Sequence, residues 1–284
     1  MANRRRWSIG RHLPLFLGLG LVWNVMWSVV WSLVPMAASA QQVQGAQAQG
    51  AVVTVSAAAS LGDAMREVAQ RFERQHTGVR VRLNVAASGV LVQQMAQGAP
   101  VDVLVSADAA TMDRAQRERL VDASTRRVIA GNALVLAVPN APAHTGVVPV
   151  RSLNDLGTPQ VRRVAIGKPA TVPAGLHARE ALEAAGLWAT VAPRIVPADS
   201  VRQVLDYLAR GEVDAGFVYR TDAAAQPARV RVVQVVPTAR PVMYPAAVAQ
   251  QAPQPALARE FLRFLLSEPA QAVLRDRGFA PAVP

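Results

Sequence analysis

The segment that decides the fold is Val53-Thr54-Val55-Ser56-Ala57-Ala58-Ala59-Ser60-Leu61-Gly62-Asp63-Ala64-Met65. It begins as a β-strand, because β-branched valines alternate with polar residues over positions 53–56. It ends as the start of a helix, because Ser60 is a suitable N-cap for the amphipathic run that follows it. The small residues between allow a ligand to approach the backbone, and a helix start offers unpaired N–H groups to an anion. We therefore expect Ser60 to be either an ordinary helix cap or one of several helix starts that meet at an oxyanion.

Strands and helices alternate along the rest of the chain in two runs, and this alternation is typical of an α/β fold with mostly parallel sheets. The last two predicted helices, at 255–266 and 269–277, follow the second run and carry apolar faces that need partners. We expect them to return to the first run, so that the chain crosses twice between two lobes. The predicted division is 51–131 plus 237–284 for lobe 1 and 132–236 for lobe 2, with hinges near Gly131-Asn132 and Val236-Pro237.

Residues 1–40 have the pattern of a targeting segment. Four arginines precede an apolar run at 13–34, and Ala38-Ser39-Ala40 forms a small-residue cleavage site. We predict a signal peptide that is cleaved after Ala40, a flexible leader at 41–50 and export to the periplasm. The apolar run is long for a signal peptide, so an uncleaved membrane anchor is the alternative.

Composition excludes several classes of function. The chain of 284 residues has no cysteine, which rules out disulfides, thiolate metal sites and a cysteine nucleophile. Its formal net charge of +11 falls to +7 when residues 1–40 are removed. The arginines are scattered and not interleaved with aromatic residues, so we expect no nucleic-acid binding. The four histidines lack metal-ligand spacing and no nucleophile motif is present, so we expect a binding protein and not an enzyme.

Candidate binding groups stand where strands give way to helices. Ligands of α/β lobes bind beyond the carboxyl ends of the strands, where the helices begin. The hydroxyl and backbone groups at these turns are neutral donors, which suit an oxyanion that is fully deprotonated near neutral pH. The candidates are Ser60, Ser88, the turn Val172-Pro173-Ala174-Gly175, the turn Asp199-Ser200-Val201, and Tyr219 at the end of a strand.

In the order and spacing of several short motifs, the sequence resembles the periplasmic molybdate-binding proteins of ABC import systems. The resemblance covers residues 52–281. The matching stretches are Ala57-Ala58-Ala59-Ser60-Leu61, Ala87-Ser88-Gly89, Gly98-Ala99-Pro100-Val101-Asp102-Val103, Ser106-Ala107-Asp108, Gly131-Asn132-Ala133-Leu134-Val135, Val172-Pro173-Ala174-Gly175, Ala198-Asp199-Ser200-Val201-Arg202, Gly216-Phe217-Val218-Tyr219 and Gly278-Phe279. The second of these departs from many relatives, which carry a run of serines there, so Ser88 is its only hydroxyl.

The resemblance implies a two-lobed type II periplasmic-binding-protein fold with the ligand in the cleft. It also implies a monomer that binds molybdate or tungstate, needs no cofactor and delivers its ligand to a membrane permease. The metal would be held only through its oxyanion, with no direct metal ligands. The implied ligand-binding groups are the hydroxyls of Ser60, Ser88 and Tyr219 and the backbone N–H groups at Ser60, Ser88, Ala174 and Val201.

Two alternatives remain open from the sequence: a binding protein for another tetrahedral oxyanion such as sulfate, and a membrane-anchored oxyanion sensor. Three charged or titratable residues lie beside the implied site. We expect Asp199 to cap or orient its helix, Arg202 to form a salt bridge, and His177 to lie at the surface or fill space on its helix.

Overall fold

The segment that opens the sequence forms strand β1 (Ala51–Ala58), a 3-10 turn (Ala59–Leu61) and helix α1 (Gly62–Gln75). The computed structural model describes residues 50–141 and 149–282. The predicted signal peptide and residues 41–49 of the predicted leader lie outside the described residues. Within them, no helix is both long enough and apolar enough to cross a membrane.

Strands and helices alternate as predicted over most of the described chain. The further strands are β2 (Val79–Ala86), β3 (Val103–Val105), β4 (Arg127–Asn132), β5 (Leu134–Pro139), β6 (Val164–Gly167), β7 (Ile195–Ala198), β8 (Ala215–Tyr219), β9 (Val230–Val235) and β10 (Val242–Val248). The further helices are α2 (Ser88–Ala96), α3 (Ala109–Arg117), α4 (Pro173–Ala184), α5 (Trp188–Val191), α6 (Val201–Ala209), α7 (Arg220–Ala224), α8 (Pro255–Leu265) and α9 (Glu268–Asp276).

The strands form two five-stranded sheets, in the orders β2-β1-β3-β10-β4 and β7-β6-β8-β5-β9. The α/β class is therefore confirmed, but each sheet is mixed and not mostly parallel. Two of the four pairings in each sheet are antiparallel, because β10 and β5 each run against both of their neighbours. These two strands follow the segments at which the chain crosses between the sheets.

The first crossing follows β4, a strand that the sequence did not predict. The sequence predicts one strand over 132–139, whereas β4 ends at Asn132 and β5 begins at Leu134, so that Ala133 alone separates the two sheets. The second crossing follows β9 and precedes β10, a strand that sequence analysis missed. Pro245 conceals it, because proline is disfavoured inside a sheet. In the structure this proline lies at a register shift next to Tyr244.

Helices α8 and α9 pack on the first sheet, as their apolar faces predict. Helix α8 contacts β10, and both helices contact α1. The ring of Phe72 on α1 meets Phe261 and Phe264 on α8 edge-on, with centroids 5.0 and 5.4 Å apart. This cluster ties the C-terminal helices to the helix that follows β1.

Candidate functional site

Ser60 lies between β1 and α1, but it does not cap the helix. The residue is buried, and its Oγ lies 3.1 Å from the hydroxyl oxygen of Tyr244 on β10. Leu61 occupies the N-cap position of α1, and no side chain accepts a hydrogen bond there. The prediction of an ordinary cap is therefore wrong, because a tertiary partner engages the hydroxyl that a cap would use.

Ser88 and Tyr219 both contact the backbone of Ala107, in the turn after β3. The Ala107 N–H donates to Ser88 Oγ at 3.0 Å, and the Tyr219 hydroxyl donates to the Ala107 carbonyl at 3.5 Å. Ser88 is the first residue of α2, and Tyr219 is the last of β8, in the other sheet. The structure thus brings hydroxyls from both sheets to one place, and both side chains are buried.

Ala174 and Val201 lie in the first turns of α4 and α6. The first N–H groups of a helix have no intrahelical acceptor, so both helix starts carry donors. Pro173 at the first position of α4 suits this start, since its fixed φ matches the helix. The turn before α4 also contacts α2, which follows β2 of the first sheet. The Gly89 N–H of α2 donates to the Thr171 carbonyl of this turn at 2.9 Å.

Arg202, the residue after Val201, connects α6 of the second sheet to elements that flank the first sheet. Its guanidinium donates to the Ser60 carbonyl at 3.2 Å and lies 3.1 Å from Asp63 of α1. Arg202 Nε also lies 3.0 Å from Asp222 Oδ1, without a directed hydrogen bond between them. The predicted salt bridge is confirmed, and it joins α6 to α1 across the gap between the sheets.

Buried groups around the hydroxyls have altered proton affinities. Burial raises the pKa of Tyr219 well above its usual range, and the nearby Tyr244, Asp108 and Asp222 add to this effect. Burial also raises the pKa of Asp222 to about 6, against the opposing attraction of Arg202 and the hydrogen bond from the Tyr219 N–H. Tyr219 consequently keeps its proton at neutral pH and can act only as a neutral partner to an anion.

The other two predictions near the site have different outcomes. Asp199 does not cap α6, because Ser200 does so by accepting from the Gln203 N–H at 3.2 Å, while Asp199 pairs with Lys168. His177 is buried on α4 and not at the surface, with Nδ1 3.5 Å from Glu180. Within the described part of the chain, no group of three or more histidine or carboxylate side chains could hold a metal ion.

Two cavities help to locate the open space. One of about 340 Å³ borders Ser60 and is lined from both sides, by Asp63 and Phe279 on one and by Arg202 and Thr221 on the other. A larger one of about 670 Å³ lies along the polar face of α1 and touches none of the five predicted binding residues. Of these two cavities, only the smaller borders a predicted binding residue, and that residue is Ser60.

Sequence reasoning missed Tyr244, which contacts Ser60, and Asn132, which contacts Tyr244. The Asn132 amide Nδ2 donates to the Tyr244 hydroxyl at 3.1 Å and to the Thr221 hydroxyl at 2.9 Å. Asn132 belongs to the motif Gly131-Asn132-Ala133-Leu134-Val135 at the first crossing. Its polar amide at that position could have indicated a hydrogen-bonding role. Tyr244 gave no such indication, because its strand was not recognised.

The sequence profile of the family described as bacterial extracellular solute-binding protein matches residues 53–280. The molybdate-binding protein ModA of Escherichia coli (strain K12) is 36% identical over 229 residues, which cover 80% of this chain and 88% of that protein. ModA of Haemophilus influenzae is 35% identical, covering 82% and 91%. Among solved structures, the Azotobacter vinelandii periplasmic molybdate-binding protein aligns with a TM-score of 0.68 at 27% identity, covering 82% and 99%. The sulfate-binding protein SubI from Mycobacterium tuberculosis H37Rv shares the fold, with a TM-score of 0.73 at 21% identity, covering 82% and 88%.

Proposed function

Because the chain belongs to the bacterial extracellular solute-binding protein family, we propose that it binds molybdate, and tungstate equally, for an ABC import system. The family consists of solute-binding proteins, so the chain is a binding protein and not an enzyme. The relatives that are 35–36% identical are molybdate-binding proteins. Tungstate follows from chemistry, since it shares the charge and nearly the size of molybdate.

The observation that carries the proposal is the meeting of neutral donors from both sheets. We assign the oxyanion to the hydroxyls of Ser60, Ser88 and Tyr219 and to the first-turn N–H groups at Ser60, Ser88, Ala174 and Val201. Support comes from Ser88 and Tyr219, whose hydroxyls both contact Ala107, and from the two helix starts of the second sheet. The Tyr219 hydroxyl, 3.5 Å from the Ala107 carbonyl, turns its hydrogen from that carbonyl to the anion on binding. Hydrogen bonds to a charged acceptor contribute roughly 1.5–3 kcal/mol each, so seven of them, less desolvation and ordering, predict a Kd below about 1 μM.

A site of neutral donors also favours a fully deprotonated anion. A protonated oxyanion brings an O–H group that finds no acceptor there, and an unpaired buried donor is costly. Molybdate is a dianion near neutral pH and needs only donors. No cofactor takes part in this function, and molybdenum is held only through the oxygens of its oxyanion.

Capture proceeds by closure of two lobes, 51–131 with 237–284 and 132–236, about the two crossings. The Gly89–Thr171 hydrogen bond and the Arg202–Asp63 ion pair are contacts that a closed cleft makes. An anion that bridges both lobes stabilises this form, and the closed form then docks on the membrane permease. We propose that the protein acts as a monomer in the periplasm, after signal-peptide cleavage behind Ala40.

Isothermal titration of the ligand-free protein with molybdate, tungstate and sulfate tests the ligand. We expect similar tight binding of molybdate and tungstate and much weaker binding of sulfate, whose smaller size leaves the donors too far apart. Sulfate binding as tight as molybdate would move the assignment to another tetrahedral oxyanion. The Ser60→Ala variant should bind molybdate about tenfold more weakly, because one donor is lost; unchanged affinity would place the site elsewhere.

N-terminal sequencing of the exported protein tests the location. We expect a mature chain that begins at Gln41. An intact Met1 on exported material would instead favour the membrane-anchored form and the sensor function that goes with it.

A further inference from the structure

A chain of buried and partly buried hydrogen bonds leads from the crossing between the sheets to Ser60. Asn132, the last residue of β4, contacts Tyr244 of β10, and Tyr244 contacts Ser60. Thr221 at the start of α7 contacts the same amide from the second sheet's side. Each link is between 2.9 and 3.1 Å long, which is ordinary hydrogen-bond length.

The Asn132 amide sets the direction of the first link. Its Oδ1 accepts from the Ala133 N–H at 2.9 Å, and this bond identifies the opposite end of the amide as Nδ2. An amide nitrogen is a donor only, with two hydrogens, and these go to the hydroxyl oxygens of Thr221 and Tyr244. The Tyr244 oxygen therefore accepts at this link.

The direction of the second link follows from the first. Tyr244 is fully buried, and its hydroxyl has a single hydrogen to place. Burial raises the pKa of Tyr244, so the phenol keeps this proton. Among the described residues its hydroxyl has two partners, Asn132 and Ser60, and the first occupies it as an acceptor. Donation to Ser60 Oγ is the arrangement that leaves no buried O–H unpaired.

We propose that Asn132 and Tyr244 are positioning residues that make Ser60 a hydrogen-bond donor toward the cleft. Since Ser60 Oγ accepts from Tyr244, its own hydrogen points away from that partner and toward the oxyanion. This inference rests on the proposed function for the identity of the acceptor. The relay selects a ligand that offers lone pairs and no hydrogen.

The hydroxyl hydrogen of Ser88 is oriented in the same way as that of Ser60, but by a backbone donor. The Ala107 N–H donates to Ser88 Oγ at 3.0 Å, and a backbone N–H cannot reverse its role. The Ser88 hydrogen is therefore also directed away from its protein partner. Two hydroxyls on neighbouring turns, each already accepting within the protein, make a site that is arranged for donation before the ligand arrives.

A double-mutant cycle between Tyr244 and Ser60 tests the relay, with isothermal titration of molybdate as the assay. We expect Tyr244→Phe, which keeps the ring, to weaken binding about three- to tenfold. In the Ser60→Ala background the same change should weaken it less than about twofold, because the group it directs is gone. Equal losses in the two backgrounds would overturn the relay, since a merely structural tyrosine acts independently of Ser60. Tyr207→Phe is the control: it removes a phenol hydroxyl from α6 and should leave the affinity for molybdate unchanged.

Reversal of the first link provides a second variant. In Asn132→Asp the carboxylate can only accept, so the Tyr244 hydrogen turns toward residue 132 and Ser60 loses its directing donor. We expect a greater loss of molybdate affinity than for Tyr244→Phe, and part of that loss should vanish in the Ser60→Ala background. The part that remains measures charge repulsion alone. A loss of the same size in both backgrounds would contradict the relay.

The direction of the hydrogen bond can also be read in ligand-free protein by NMR. The Tyr244 hydroxyl proton should exchange slowly and show a nuclear Overhauser contact with the Ser60 methylene. A proton directed away from Ser60 would overturn the relay whatever the protein binds. If the proton faces Ser60 but the parent protein does not bind molybdate, the proposed function fails and the relay stands.

Discussion

Asp222 provides the sharpest test of the electrostatics, because it is a carboxylate without any exposed surface. It lies in the first turn of α7, accepts from the Tyr219 N–H at 3.1 Å, and has Arg202 3.0 Å away. Burial penalises its charged form more than these two partners stabilise it, which is why its pKa rises from 3.8 to about 6. The Asp222→Asn substitution keeps the shape and the acceptor but removes the titration.

The sign of the effect follows from proton binding. Between about pH 4 and pH 6 the folded protein holds a proton on Asp222 that the unfolded chain has released, so the free energy of unfolding falls as pH rises. The difference between a pKa of 3.8 and one of about 6 corresponds to about 3 kcal/mol. The native protein should therefore lose about 3 kcal/mol relative to Asp222→Asn between pH 3.5 and pH 7.5.

Urea unfolding of ligand-free protein, followed by far-UV circular dichroism at half-unit pH steps, measures this difference. Glu67, Asp122 and Asp155 have lowered pKa values from their hydrogen bonds and destabilise the fold as pH falls, but both proteins share them. Their effect cancels in the difference between the two curves. Parallel curves for the native protein and Asp222→Asn would refute the reasoning, and a difference of opposite sign would mean that Arg202 outweighs burial.

Three other substitutions have defined outcomes. Ser88→Ala should weaken molybdate binding about tenfold in calorimetry, since a directed donor is lost, and an unchanged Kd would remove Ser88 from the site. Gly89→Ala places a Cβ 2.7 Å from the Thr171 backbone, so the closing contact cannot form; we expect weaker binding and a larger radius of gyration in X-ray scattering with molybdate present, and full compaction would contradict this. Gly175→Ala sets a Cβ against the Gly167 carbonyl and should lower the free energy of unfolding by about 1–3 kcal/mol in urea, whereas native stability would show that α4 is free to shift.

Local patterns predicted the α/β class and the positions of the candidate binding groups. Alternating valines and small-residue turns depend on near neighbours in the chain, so Ser60, Ser88 and Tyr219 could be located at ends of strands and starts of helices. The role of the Ser60 side chain could not, because its partner Tyr244 lies 184 positions away. The ion pairs of Arg202 show the same limit, since the pairing was predicted but its carboxylates were not.

The missed elements have physical reasons of their own. Proline conceals β10, because its ring usually excludes it from a sheet interior and only a register shift at Tyr244 accommodates it. Strand β4 was missed as well, because its apolar run of Val128, Ile129 and Ala130 is short and ends at Gly131-Asn132. With β4 and β10 unrecognised, the antiparallel half of the first sheet could not be predicted.

The place of β10 in its sheet has a consequence for the order in which the chain folds. This strand lies between β3 and β4, and β4 has no other neighbour in the first sheet. The first sheet therefore cannot be completed until residues 242–248 have been synthesised. Every strand of the second sheet, in contrast, lies within 134–235. A chain that emerges from its N-terminus can thus complete the second sheet while the first still lacks β10, one of its interior strands. Insertion of β10 then carries Tyr244 to Ser60, so this contact can form only after every strand of the second sheet has been synthesised.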